Sequence, residues 1–328
     1  MSLLGNSSSD YLYDGVKDLV RCTSNEELLE MVSRAKPLAN EGKVADYIPG
    51  LANANPEALS IAIFQEDEKC LSAGDVEEKF TLQSISKIIT LALAIMDAGE
   101  EKVFSRVGME PTGDPFNSIA KLESMVPSKP LNPMINAGAL VVTSLISGET
   151  VDEKVGRILT LVHDMTNNPT IGISHEIARS EYETSHLNRA LSHFMKQHGV
   201  IEGDVEQNLE TYTKQCSIEV DCKDLARIGM VLAKGGKDPD TGREIIPSYI
   251  ARIVKTFMVT CGMYNASGEF AIKVAIPAKS GVSGGILSLV PNEMGIGVFS
   301  PPLDQKGNSI AGVKLLEILS SHFKLSIF

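Results

Sequence analysis

The spacing of apolar residues changes several times along the chain, and each change predicts an element. Leu28, Leu29, Val32 and Ala35 recur at helical spacing behind Thr23-Ser24-Asn25-Glu26-Glu27, a capping residue followed by first-turn carboxylates, so a helix is expected to run until Pro37. Leu59-Ser60-Ile61-Ala62-Ile63-Phe64 and Lys69-Cys70-Leu71-Ser72-Ala73 flank an acidic turn at 65–68, the pattern of two antiparallel strands. From 82 to 99 the residues Ile85, Ile88, Ile89, Leu91, Leu93, Ile95 and Met96 leave no polar face, which predicts a helix buried all round. Gly, Pro and Asn then punctuate a mostly helical region, with helices expected at 151–166, 187–199, 203–215, 219–234 and 247–258. Short β-type runs follow at 272–278, 285–290 and 294–300, and an amphipathic helix at 309–322 closes the chain.

Strands at both ends with helices between them imply a mixed α/β fold. The expectation is one antiparallel five-stranded sheet, assembled from two distant segments, flanked by helices and carrying an inserted all-helical lobe. Residues 1–22 are polar and irregular and are read as an N-terminal arm, leaving 23–328 as a single two-lobed unit. The sheet lobe would comprise about 23–82 and 235–328 and the helical lobe about 83–234, with a cleft between them as the natural site.

Composition narrows the ligand. Among 328 residues, 30 Lys and Arg stand against 42 Asp and Glu, giving a net charge of −12 that opposes binding to nucleic acid or anionic lipid. Aromatic residues make up only 5% and Trp is missing, so base-stacking and sugar-stacking surfaces are poorly supplied and a small polar ligand fits better. No run is long enough to span a membrane, and the first residues lack a basic segment followed by an apolar one, so a cytoplasmic protein is expected. Five scattered cysteines without a C-x-x-C pair, and six histidines without a paired motif, suggest reduced thiols and neither metal nor organic cofactor.

Candidate chemistry starts with the pattern S-x-x-K, which occurs as Ser33/Lys36, Ser84/Lys87, Ser118/Lys121 and Ser321/Lys324. A serine–lysine nucleophile needs both side chains on one helix face, with the amine desolvated so that it loses its proton. Only Ser84/Lys87 meets this, being predicted in the first two turns of the all-apolar helix with Thr81 as its N-cap; the other lysines can remain solvated. The alternative for Lys87 is an ordinary surface lysine. A second signal, Ala278-Lys279-Ser280-Gly281-Val282-Ser283-Gly284-Gly285, runs a strand into a lysine, a hydroxyl and glycines, which taken alone is a strand-to-turn transition. Together the two motifs match the S-x-x-K plus K-T-G layout of serine acyl-transfer enzymes, although the middle S-D-N is missing. Glu183 to Asn188 is one residue too long for a deacylating E-x-x-L-N, and Lys234-Gly235-Gly236-Lys237 is a helix end and turn, not a phosphate loop.

Phe80-Thr81-Leu82-Gln83-Ser84-Ile85-Ser86-Lys87, Asn132-Pro133-Met134-Ile135-Asn136-Ala137-Gly138, Cys261-Gly262-Met263-Tyr264-Asn265 and the Ala278 to Gly285 segment resemble the bacterial glutaminase family. Asp46-Tyr47-Ile48-Pro49, Ser180-Glu181-Tyr182-Glu183-Thr184 and Tyr212-Thr213-Lys214-Gln215-Cys216-Ser217 extend the likeness from about residue 25 to the end. The resemblance implies the fold of serine β-lactamases and DD-peptidases and hydrolysis of L-glutamine to L-glutamate and ammonia. It makes Ser84 the nucleophile, Lys87 its base, Tyr264 a proton relay beside them, and the N–H groups of Ser84 and Val282 the oxyanion hole. Glu181 would face the substrate ammonium, with Tyr47, Gln83, Asn136, Asn188 and Tyr212 completing the recognition of the amino acid. It also implies a homodimer or homotetramer. Two rivals are a β-lactamase or DD-peptidase on the same fold and an amino-acid-binding protein without turnover.

Overall fold

A computed structural model describes residues 22, 24–65, 70–113, 118, 122 and 129–328. Apart from Cys22 the residues 1–22 lie outside the described residues, as do Thr23, residues 66–68 of the expected acidic turn, Lys69 and Lys121. The chain forms α1 (Asn25–Ala35), β1 (Ser60–Gln65), β2 (Cys70–Gly74), β3 (Phe80–Thr81), α2 (Ser86–Ala98), α3 (Glu100–Arg106), α4 (Asn136–Ser144) and α5 (Val151–Thr166). It continues through α6 (His175–Thr184), α7 (His186–Gln197), α8 (Val205–Cys216), β4 (Glu219–Val220), α9 (Cys222–Ala233), α10 (Ser248–Cys261) and α11 (Ser267–Lys273). It ends with β5 (Ala278–Ser280), β6 (Gly285–Val290), β7 (Met294–Phe299) and α12 (Ile310–Phe323).

The expected sheet is present, with strand order β2-β1-β7-β6-β5 and every neighbouring pair antiparallel. The central register aligns Ile61 with Val298 and Ile63 with Ile296, so strands 200 and more residues apart in sequence share one core. Strand alternation then sorts the two faces. Ile61, Ile63, Ile286, Ile296 and Val298 face α1 and α12, where Leu28, Met31, Leu315, Leu319 and Phe323 bury them. The opposite face carries α9, which lies across β1, β6 and β7 and joins the sheet to the core of the helical layer. Glycines make this contact possible. A Cβ on Gly295 would sit 2.0 Å from the Ala226 carbonyl, and one on Gly297 would sit 2.1 Å from that of Cys222, so α9 rests directly on the backbone of β7.

Three expectations are corrected. The run 272–278 is not a strand: helix α11 continues through Lys273, Ile272 is 85% exposed, and Phe270 and Val274 are buried at helical spacing. Ala275, at φ +62°, ends that path, and only Ala278–Ser280 joins the sheet. Nor does a single helix cover 219–234, because Glu219–Val220 pairs with Phe80–Thr81 before Asp221 caps α9, its carboxylate accepting from the N–H groups of Lys223 and Asp224. That same pairing holds Thr81 in a strand and prevents it from capping the buried helix. A 3₁₀ turn, Gln83–Ile85, intervenes and α2 starts at Ser86 behind Ile85. Ser84 therefore sits on the turn and Lys87 in the first helical turn. As expected, Lys234-Gly235-Gly236-Lys237 is a helix end and turn, its glycines at φ +69° and +92°.

Candidate active site

The approach to Ser84 is held from three sides. The Leu82 N–H donates to the Ile218 carbonyl at 2.9 Å, the Ser283 hydroxyl donates to the Thr81 carbonyl at 2.7 Å, and the Ser86 hydroxyl donates to the Gln83 carbonyl at 2.8 Å. Gln83 itself adopts φ +46°, a left-handed conformation that costs a non-glycine residue on the order of 1 kcal/mol or more and persists only where neighbours impose it. The result is a tight turn that places Ser84, 7% exposed, beside the buried Tyr264. Burial pushes the Tyr264 phenol well above the usual tyrosine range, against the opposing pull of Ser84.

Lys87 is 1% exposed. Its amine donates to the Met134 carbonyl at 3.1 Å and to Asn136 Oδ1 at 2.7 Å; among the described residues no hydrogen bond joins it to Ser84. Desolvation brings its pKa down to about 8, while the nearby Cys216 and Glu181 pull in the opposite direction. The surface-lysine alternative is thereby excluded by burial. The other S-x-x-K serines differ: Ser33 and Ser321 are exposed, Lys36 pairs with Asp75 at 3.5 Å near the surface, and Lys324 is exposed. The Ser118/Lys121 pair includes a lysine outside the described residues.

The recognition residues converge on the same place. Asn136 Nδ2 donates to Asn188 Oδ1 at 3.0 Å, the Tyr212 hydroxyl donates to Asn136 Oδ1 at 3.5 Å, and Gln83 Nε2 donates to Glu181 Oε2 at 3.3 Å. Glu181 is 7% exposed, and burial raises its pKa to about 7 against the Gln83 hydrogen bond and the Lys87 charge. Tyr47, Gln83, Asn136, Glu181, Asn188 and Val282 line a cleft of about 700 Å³. Ser84, Lys87, Tyr212 and Tyr264 lie outside this lining: Lys87 and Tyr212 reach it through Asn136 Oδ1, to which both donate, Ser84 follows Gln83 in the chain, and Tyr264 lines a separate small cavity with Asn132 and Met134. Neither the Ser84 nor the Val282 N–H donates to a backbone carbonyl among the described residues, so both remain available as donors. Glu183, by contrast, is solvent-facing and pairs with Arg179 at 2.9 Å.

Sequence reasoning named Tyr47, Cys216 and Lys279 within motifs but foresaw neither the mouth of the cleft as a whole nor the buried surroundings of Cys216 and Lys279. The mouth consists of segments 41–48 and 303–307, knitted by the Lys43 and Leu303 backbones, which exchange hydrogen bonds of 3.1 and 2.9 Å. Apart from Asp46-Tyr47-Ile48 their sequences carry no motif, and only tertiary pairing brings them over the site. Cys216 is packed against Tyr212, Ser86 and Lys87. Lys279 is completely buried and donates to the carbonyls of Gly262 at 3.1 Å and Ser280 at 2.6 Å, with its Nζ 4.5 Å from the centre of the Tyr264 ring. Among the described residues no group of three or more His, Cys, Asp or Glu is arranged to hold a metal ion, and no helix is long and apolar enough to cross a membrane.

The family model described as Glutaminase matches residues 42–328. Glutaminase 1 of Halalkalibacterium halodurans is 64% identical over 304 residues, covering 93% of this chain and 99% of the relative. Glutaminase 2 of Bacillus subtilis is 61% identical over 307 residues, covering 94% and 99%. Among solved structures, a Bacillus glutaminase crystallised in the presence of 4.3 M NaCl superposes with a TM-score of 0.87 at 41% identity, covering 93% of this chain and 99% of that one. The covalent complex of the Bacillus subtilis glutaminase YbgJ with 5-oxo-L-norleucine, formed by reaction with 6-diazo-5-oxo-L-norleucine, superposes with a TM-score of 0.84 at 39% identity, covering 93% and 99%.

Proposed function

The chain belongs to the glutaminase family, with its β-lactamase-like fold, and hydrolyses the side-chain amide of glutamine; we propose that it does so through Ser84, Lys87 and Tyr264. Neutral Lys87 takes the Ser84 proton as Ser84 Oγ bonds to the amide carbon, and the N–H groups of Ser84 and Val282 stabilise the oxyanion, about 3 kcal/mol or more per donor. The C–N bond breaks, the proton held by Lys87 passes through Tyr264 to the leaving nitrogen, and ammonia departs. Water then attacks the glutamyl ester, giving L-glutamate and free Ser84. The observation that supports this reading best is a completely buried lysine with pKa about 8, three residues from a serine beside the buried Tyr264.

Glu181 holds the substrate ammonium, and Tyr47, Gln83, Asn136, Asn188 and Tyr212 hold the rest of the amino acid, an end of the cleft rich in neutral donors around one buried carboxylate. The same reading expects a cytoplasmic homodimer or homotetramer, which light scattering on the purified protein tests for size. Treating the protein with 6-diazo-5-oxo-L-norleucine and mapping the adduct by peptide mass spectrometry tests the nucleophile. The label is expected on the peptide containing Ser84 and nowhere in Ser84→Ala; a label on another hydroxyl would overturn the assignment.

A further inference from the structure

Asn132 is 1% exposed and stands apart from the recognition residues, yet its side chain closes one turn and ties it to a neighbouring segment. Its Oδ1 accepts from the N–H groups of Met134 at 3.0 Å and Ile135 at 3.2 Å, and its Nδ2 donates to the Glu110 carbonyl at 2.8 Å. The turn leads straight into α4, which has no side-chain cap of its own at Ile135. The turn is also seated against that helix: a Cβ on Gly138 would lie 1.9 Å from the Asn132 carbonyl oxygen. Both acceptors of the Lys87 amine, the Met134 carbonyl and Asn136 Oδ1, belong to this turn or to the residue that starts the helix.

We propose that Asn132 is a positioning residue for Lys87, its carboxamide closing the turn that holds the Met134 carbonyl and the Asn136 side chain against the lysine amine. The proposal rests on Lys87 being the general base. The titratable groups around Lys87 are Glu181 from α6, Cys216 from α8 and Lys279 from β5, with Tyr212 from α8 on the shared Asn136 Oδ1 and the Tyr264 ring centre 4.5 Å from the Lys279 amine. Tyr212 is tied to the same turn through Asn136 Oδ1 and Tyr264 lines a small cavity with Asn132, yet a change at Asn132 reaches Lys87 most directly, through both of its acceptors. Hydrogen bonds to a cation favour its charged form, so releasing one acceptor makes Lys87 easier to deprotonate while leaving it less well aimed.

Two substitutions push in opposite directions. In Asn132→Ala the turn loosens, and the acid limb of the pH profile of kcat with glutamine should move down by about one pH unit, with plateau kcat falling about ten-fold. In Asn132→Asp the carboxylate keeps both N–H acceptor bonds, loses the donor bond to the Glu110 carbonyl and adds a negative charge near the amine, so the limb should move up in pH whatever the plateau. A purely structural asparagine would change melting temperature and yield in both variants and leave the limb where it is. Thermal unfolding is recorded on the same full-length preparations; if Asn132→Ala does not fold, the upward movement in Asn132→Asp decides alone. An unmoved limb in Asn132→Asp, or movement in the same direction in both variants, overturns the proposal. Lys87→Ala with retained activity would instead overturn the base assignment on which it rests, so the two failures are distinguishable.

Discussion

The sharpest consequence of the two buried ionisable groups is the shape of the pH profile. On the proposed roles, the productive enzyme has Glu181 ionised, to hold the substrate ammonium, and Lys87 neutral, to take the Ser84 proton. Both requirements fail on the acid side, so the low-pH form carries two protons more than the active one. With Glu181 at about 7 and Lys87 at about 8, the active fraction is about 0.9 at pH 9, 0.05 at pH 7 and 0.001 at pH 6. Log kcat/KM should thus fall by one per pH unit between about 8 and 7 and by two below about 7. In the saturated complex the bound ammonium keeps Glu181 ionised, so kcat should retain only the single Lys87 step. Steady-state assays of ammonia release from pH 5.5 to 9, on wild type and Glu181→Gln, read these slopes directly. The variant should lose affinity at every pH and show a slope of one throughout. A wild-type slope of one down to pH 5.5, or a slope of two that survives in Glu181→Gln, would refute the assignment of these two groups.

Ser84→Ala should abolish turnover with glutamine binding still measurable by calorimetry, Lys87→Ala should be nearly as inactive, and the double variant little worse than either, because residues of one catalytic unit are non-additive; Ser33→Ala and Ser321→Ala, at exposed positions, should keep most of the activity. Gly295→Ala should separate α9 from β7 and cost about 2 kcal/mol of stability, read as a lower urea midpoint with unchanged m-value, since its Cβ would meet the Ala226 carbonyl at 2.0 Å. A Gly295→Ala protein as stable as wild type would show that the helix is free to shift.

Sheet and site were legible to different degrees for identifiable reasons. The alternation in β1, β6 and β7 and the all-apolar stretch of α2 are period signals, so those elements and the two-ended sheet followed from residue spacing. Ser84 and Lys87 were separable from three look-alike pairs because the desired property, burial of the amine, is written in the surrounding Ile85, Ile88 and Ile89. Glu181 and Asn136 carry no such local mark, and only family resemblance singled them out. Their roles depend on contacts across 50 to 100 residues, such as Gln83 with Glu181 and Asn136 with Asn188, which no window of sequence contains. The start of α2 was misread because the competitor for Thr81 was a strand partner, Glu219, far along the chain. Likewise the 272–278 run alternates like a strand only if Ile272, which points to solvent, is counted as core.

Glutamine binding should itself prepare the base. In the free enzyme the Glu181 carboxylate raises the Lys87 pKa, so the empty site favours an ion pair of protonated lysine and ionised glutamate near neutral pH. A substrate ammonium placed against Glu181 takes over the neutralisation of that carboxylate. Lys87 then loses its attraction while its burial and the like charge of the incoming cation remain, and all three changes favour release of its proton. Lys279 supplies no compensating pull, since burial and the Lys87 charge hold its own amine well below the usual lysine range. With Lys87 at about 8, roughly three quarters of the free enzyme carries the proton at pH 7.5, so binding should release a substantial fraction of one proton to solvent. Calorimetric titration of Ser84→Ala with L-glutamine, repeated in two buffers of different ionisation enthalpy at pH 7.5, measures that number without turnover. Release should fall in Ser84→Ala/Lys87→Met to what Glu181 alone supplies as it ionises against the ammonium. Proton uptake on binding, or equal release with and without Lys87, would show that the substrate ammonium does not displace the lysine from its partnership with Glu181.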